Sequence, residues 1–223
     1  MWRRPGFNIE EFSEYWRTVH KQYAMRMAEI GLTLGYLQNH LIEGDIEGLP
    51  RTSDGCAEVW MRSLDNLRSF ASSPEYLEGA AVDEERFMAM RPQVLIGREV
   101  ELVAGPSRIE ALHLTKVMLW VKRRPGVSNG DFAKWVDPMW EMAAGARKPQ
   151  KLLRVTALDS SETRFGDPPY DGLEISWWPD LATFENAWKE RRSENMPLID
   201  ASATTGLIVR EEPVFWPVGI DQI

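Results

Sequence analysis

The sequence predicts an α+β protein built as two tandem ferredoxin-like βαββαβ units within one chain. Three observations carry that expectation. Motifs recur at a nearly constant offset: Arg3-Arg-Pro-Gly6 returns as Arg123-Arg-Pro-Gly126, Asp54-Gly55 as Asp171-Gly172, and Gly97-Arg-Glu99 as Val209-Arg-Glu211. Apolar positions recur with them, Trp60 meeting Trp177, Leu64 meeting Leu181 and Leu67 meeting Phe184. Within each copy, stretches with helical periodicity alternate with short strand-like runs. The offset shortens only between elements, as loop deletions would make it do. The expected division is a first domain over 1–103, a linker over 104–113 containing Ala104-Gly-Pro-Ser107, and a second, diverged domain over 114–223.

Each element has its own warrant. Ile9, Phe12, Trp16, Val19, Tyr23, Met27 and Ile30 are spaced three or four apart, the apolar stripe of one long helix. Asn8 with Glu11 three residues later suits a capping pair at its start. Leu34 to Ile42 reads as a strand, and after a loop containing glycine and proline a second strand runs from Asp54 to Met61. Ser63 can cap a helix whose Leu64, Leu67 and Phe70 or Ala71 face inward. Val94 to Val103 closes the unit as a strand. The second copy opens with a strand over 114–121, whose counterpart in the first copy would precede Met1. In this topology that strand is central, so the expectation is that upstream residues or a substitute strand supply it. Pro138 should kink or restart the second long helix, with Asp137 as cap.

Composition narrows the function. The 223 residues are 43% hydrophobic and 27% charged, as in ordinary folded proteins. A net charge of -8 argues against nucleic acid and anionic membranes as partners. No apolar run approaches a membrane span, and Met1-Trp-Arg-Arg-Pro-Gly lacks the apolar core of a secretory signal, so a cytoplasmic protein is expected. The lone Cys56 makes neither an internal disulfide nor a thiolate metal site. Neither Gly-x-Gly-x-x-Gly nor a P-loop occurs, which disfavours nucleotide cofactors. Ten Trp and ten Met supply more large apolar surface than a core of this size requires.

Five motifs in order then resemble a known family. Arg3-Arg-Pro-Gly6 with Phe12-x-x-Tyr15-Trp16-x-x-x-His20, then Tyr36-x-Gln38-Asn39-His40, Asp54-Gly55-x-x-Glu58, Ser73-Pro74 and Asp83-Glu84-x-x-Phe87 are similar to an EthD domain, over nearly all of 3–103. That family belongs to the dimeric α+β barrel superfamily. The resemblance implies that a tandem chain builds the barrel from its own halves. Relatives include cofactor-free decarboxylases and dehydratases of aromatic polyketide pathways and muconolactone isomerases. It implies no cofactor, though haem serves elsewhere in the superfamily.

The candidate site follows from residue type and strand period. His20 lies on the edge of the helix stripe and points toward the sheet; it is either a working imidazole or one bonded to a backbone carbonyl. Tyr36, Gln38 and His40 share one strand face, and Asp54, Cys56, Glu58 and Trp60 share a face of the next strand, opposite the small Gly55 and Ala57. Small residues suit close helix packing, so the polar faces are expected to line the barrel interior as a small-molecule cavity. Tyr36, Gln38 and Glu58 read equally well as a hydrogen-bonded layer between halves. The expected catalytic residues are His20, His40 and Glu58, with Glu58 orienting a histidine or acting as an acid. Tyr36, Gln38, Asn39, Trp16, Trp60 and Tyr23 are the expected substrate-binding set. Two histidines and Glu58 lack metal-motif spacing, so no metal is expected. In the second copy His20 meets Trp140, His40 meets Ala157 and Glu58 meets Ile175, which leaves one working pocket.

These readings lead to a cofactor-independent lyase or isomerase using histidine acid/base chemistry on a small hydrophobic, aromatic or polyketide-like substrate. The alternatives are a cofactor-free monooxygenase and a non-catalytic binding protein for a hydrophobe. A homodimer of the two-domain chain stays open.

Overall fold

The computed structural model describes residues 1–42, 44–51, 53–128, 130–132, 148–193 and 198–216. Pro138, Asp137 and Trp140 lie outside them. The fold is α+β with antiparallel strands, and the chain forms two compact units. The first comprises Met1–Leu41, Ser53–Gln93 and Arg210–Ile223; the second comprises Ile42–Thr52 and Val94–Val209.

In the first unit, α1 (Ile9–Tyr15) runs through a π-helical segment (Trp16–His20) into α2 (Lys21–Glu29). The capping pair is present: Asn8 Oδ1 accepts from Glu11 N, and Glu11 Oε2 accepts from Asn8 N. β1 (Gly35–Leu41) and β2 (Gly55–Trp60) pair antiparallel. Ser63 caps α3 (Leu64–Ser72) through Asn66 N. A second π-helical segment (Glu75–Ala80) leads into α4 (Ala81–Phe87). Apolar periodicity does not announce this last run, because each π turn shifts the apolar positions out of a 3.6-residue phase. The Arg210–Phe215 part of β7 (Thr205–Phe215) belongs to this unit, where the strand order is β2-β1-β7. Met1–Arg3 lie beside the start of β2, with Asp54 N donating to Met1 O at 2.8 Å and the Met1 amine to Gly55 O at 2.7 Å.

The second unit holds β3 (Gly97–Val103), β4 (Thr115–Val121), β5 (Lys151–Ala157), a short α5 (Ser160–Thr163), β6 (Gly172–Trp178), α6 (Leu181–Ser193) and the start of β7. Its order is β7-β4-β6-β5-β3. Val117, Leu119, Val121, Leu152, Trp178, Phe184 and Trp188 build its core.

Certain contacts occur in both units. Arg3 N and its guanidinium bind the Asp54 carboxylate at 3.0 and 2.7 Å; Arg123 N and Nε bind Asp171 at 2.9 and 3.0 Å. Arg4 N donates to Phe87 O, and Arg124 N to Leu198 O. Gly55 stands opposite His40, and Gly172 opposite Thr156. That register sets Thr156, not Ala157, at the place of His40: β5 is offset from β1 by one residue less than β6 is from β2.

Candidate active site

The site lies in the first unit, where α1, the two π-helical segments and α4 bring the motif residues together. Trp16 opens the first π-helical segment, and its carbonyl accepts both the Lys21 N–H of that segment and the Gln38 amide at 2.9 Å. Its indole donates to the Tyr36 hydroxyl at 2.8 Å, and its ring lies 4.7 Å from that of His40. Gly55 makes that seat possible, since a Cβ there would meet Trp16 Cζ3 at 2.8 Å and Asn39 O at 2.9 Å.

His20 closes the same segment. Its Nδ1 lies 2.9 Å from Asp83 Oδ2 on α4, while the Tyr15 hydroxyl donates to Asp83 Oδ1 at 2.8 Å. Asp83 is completely buried, and the His20 side chain keeps 9% of its exposure. Phe87 packs 4.9 Å from the imidazole, with Tyr15 stacked on Phe87 and Phe12 tilted against it. Burial pulls the His20 pKa down, against the opposing bond and charge of Asp83. A neutral ring beside a carboxylate carries its proton on Nδ1, which leaves Nε2 as the basic atom.

His40 is the more deeply sealed of the two. Its Nε2–H donates to Gln38 Oε1 at 3.1 Å, Nδ1 is buried with no partner, and Glu212 Oε2 is 3.8 Å from Nε2. Burial is the largest cause that takes its pKa down to about 4; Glu212 pulls upward, and Arg17 and Arg210 push downward. Burial works against the Glu212 carboxylate, but the Arg17 guanidinium, bidentate at 2.6 and 2.9 Å, holds it below the usual range. Tyr36 is buried, and burial pushes its hydroxyl far up, so it stays protonated.

Glu58 is not beside a histidine, contrary to the expectation. His40, Gln38 and Tyr36 stand opposite Gly55, Ala57 and Val59, and directly paired residues share a face. The histidine face is therefore the one packed under Trp16. Glu58 takes the other face with Asn39, whose amide donates to Glu58 Oε1 and Cys56 O, both at 3.0 Å. Trp60 lies on that face too, edge-on to Trp216 at 5.2 Å. Tyr23 borders the histidine side, its ring 6.0 Å from His20 and against Gly79. The structure thus gathers His20, His40, Trp16, Tyr36, Gln38 and Tyr23, and sets Glu58, Asn39 and Trp60 apart.

Sequence reasoning passed over Tyr15, Asp83, Arg17 and Glu212 as functional groups. Tyr15 and Asp83 stood inside quoted motifs, but the bond that joins them spans 68 residues. Among the described residues no cluster of His, Cys, Asp and Glu suits a metal ion, and no helix is long and apolar enough to cross a membrane.

Residues 4–91 match the family model of the EthD domain. This part of the chain is an EthD domain. No curated protein matches the chain. Tyr15, Trp16, His20, Asp83 and Phe87 all fall within the EthD match, so the imidazole–carboxylate pair belongs to the domain itself.

Proposed function

We propose that the EthD domain is a cofactor-independent lyase or isomerase for a small aromatic or polyketide-like compound, with His20 as general base. The observation that carries this reading is the His20–Asp83–Tyr15 chain: a neutral imidazole whose Nδ1–H is fixed by a carboxylate that is itself fully buried. In this reading Nε2 removes a proton from a carbon next to a carbonyl, and Asp83 steadies the imidazolium that results. Tyr36, kept as a hydroxyl by burial, is suited to donate to the oxygen that gains charge. His40 is assigned a positioning role through Gln38 and Trp16, since the residue is 1% exposed. The second unit is read as a diverged copy without a working site, which the matched Arg–Asp contacts and strand registers support.

Native mass spectrometry of the purified chain identifies any co-purified small molecule, which is then incubated with wild type and His20→Asn. Consumption by wild type that falls at least about 10²-fold in the variant, with binding retained, supports the reading. A compound bound equally by both and recovered unchanged identifies a carrier instead.

A further inference from the structure

The link between β1 and β2 does not stay with the first unit but forms an arm of the second. Ile42 N donates to Ile208 O at 3.0 Å where the arm leaves, and Gly206 N donates to Pro50 O at 3.2 Å where it returns. Gly44 and Gly48, at φ of 129° and 80°, provide bends between these points. Gly206 lets the arm come close, since a Cβ there would meet Ile46 Cδ1 at 2.6 Å. Farther out, the Trp188 indole of α6 donates to Glu47 O at 2.9 Å. These contacts hold arm and helix together without filling the space between them. A cavity of about 310 Å³ is left, at the small end of the roughly 300–1,000 Å³ usual for ligand sites.

Its lining divides by polarity. Ile46, Phe184, Trp188 and Ile208 are buried and make the floor, with the Phe184 and Trp188 rings stacked at 6.3 Å. Asp45, Glu47, Glu185 and Lys189 are exposed and make the rim, three carboxylates against one ammonium. Asp45, Glu185 and Lys189 enter no ion pair among the described residues. The other cation nearby, the Arg191 guanidinium 5.7 Å from the Trp188 ring, is already bidentate to Glu174. Among the described residues these carboxylates form no cluster suited to a metal ion, so a point charge is not the occupant they fit.

We propose that this cavity binds a small organic cation, a protonated amine on an aromatic or aliphatic body. The body lies on the floor of Ile46, Phe184, Trp188 and Ile208, and the ammonium meets Asp45 and Glu185. An apolar floor alone would accept any hydrophobe of the right size. The rim selects by sign of charge, favouring a cation and repelling an anion. Every lining residue belongs to the second unit, so binding here uses none of the His20 residues.

The test titrates the full chain at pH 7 with phenethylammonium, its neutral analogue phenethyl alcohol and the anion hydrocinnamate, followed by ¹H–¹⁵N NMR. The Trp188 indole signal, identified by its loss in Trp188→Phe, reports on the cavity directly because its N–H ties the helix to the arm. Phenethylammonium should shift that signal saturably, the alcohol should bind more weakly, and the anion should leave it unmoved. Asp45→Asn combined with Glu185→Gln should weaken the amine about tenfold, as losing two exposed ion pairs implies. Lys189→Gln should instead tighten it about twofold, and added salt should weaken it in wild type. All three positions are exposed, and unchanged signals elsewhere verify that the variants keep the fold. Alcohol or anion binding as tight as the amine, or an amine affinity untouched by the double variant, would overturn the assignment to a cation. A Trp188 signal that none of the three compounds moves would overturn the site itself.

Discussion

Replacing Asp83 with Asn tests the imidazole–carboxylate pair by a change of one atom. The two carboxylate oxygens have different neighbours: Oδ1 takes the Tyr15 hydroxyl at 2.8 Å and faces the Arg86 guanidinium at 3.5 Å, and Oδ2 takes His20 Nδ1 at 2.9 Å. In Asp83→Asn the amide oxygen belongs on the Arg86 and Tyr15 side, because an NH₂ there would face a cation. The NH₂ then points at His20 Nδ1, which must give up its proton and accept. The ring proton moves to Nε2, and the basic atom is lost without any change of shape. Each bond to a charged acceptor becomes a neutral one, worth about 1 kcal/mol less. The total is about 2 kcal/mol as a ceiling, since removing a charge from a fully buried position offsets part of it. Loss of the base should lower turnover by about 10²–10⁴, far more than that stability change implies. Long-range ¹H–¹⁵N correlation of the His20 ring is the direct assay. Wild type should carry Nδ1–H and the variant Nε2–H, and the remaining pull toward protonation should disappear, taking the His20 pKa further down. A ring pattern identical in both proteins would refute the assigned tautomer and the role of Asp83 with it.

Two further outcomes are expected. His40 titrates near 6.5 when unfolded and at about 4 when folded, so the native state excludes its proton between those values. That share of stability is whole above about pH 6.5 and is lost as pH falls to about 4, about 3 kcal/mol at roughly 1.4 kcal/mol per pH unit; urea midpoints should fall less steeply over this window in His40→Gln. Gly55→Ala places a methyl 2.8 Å from Trp16 and 2.9 Å from a backbone oxygen, and should cost about 1–3 kcal/mol. Gly172→Ala, whose contacts are 3.1 and 3.6 Å, should cost less, and equal urea midpoints for the two would count against the Trp16 seat.

Local order was legible in the sequence where a single element decides it. The Asn8–Glu11 cap, the Ser63 cap, β1 and β2 within a residue at each end, and the small face of Gly55 and Ala57 under a helix all follow from spacing and residue type. The EthD resemblance was legible because its motifs come in order. Strand pairing was not. A period of two assigns Tyr36, Gln38 and His40 to one face and Glu58 to another face of its own strand, but it does not say which faces coincide. The register alone decides that, and it put the histidine with the glycine. The carboxylate that holds His20 was invisible for a similar reason. It comes from α4, 63 residues away, after a π-helical segment that breaks the helical period.

The same pairing rule shows how the corresponding strand faces of the two units differ. Registers place Arg154 where Gln38 stands, Thr156 where His40 stands, and Glu174 where Ala57 stands. In the first unit, a glycine and an alanine leave the helix side of β2 free for the Trp16 indole, whose carbonyl and N–H then order Gln38 and Tyr36. In the second, that side carries Glu174, bidentate to Arg191 of α6 at 2.7 and 2.9 Å, with exposures of 2% and 5%. A buried ion pair tolerates the loss of one partner poorly, since the other charge is then stranded. Space that the EthD domain gives to an imidazole and its aromatic neighbours is therefore taken up by a fixed structural pair. Thr156→His would leave that pair in place, so under the proposed reading it should confer no activity on the second unit.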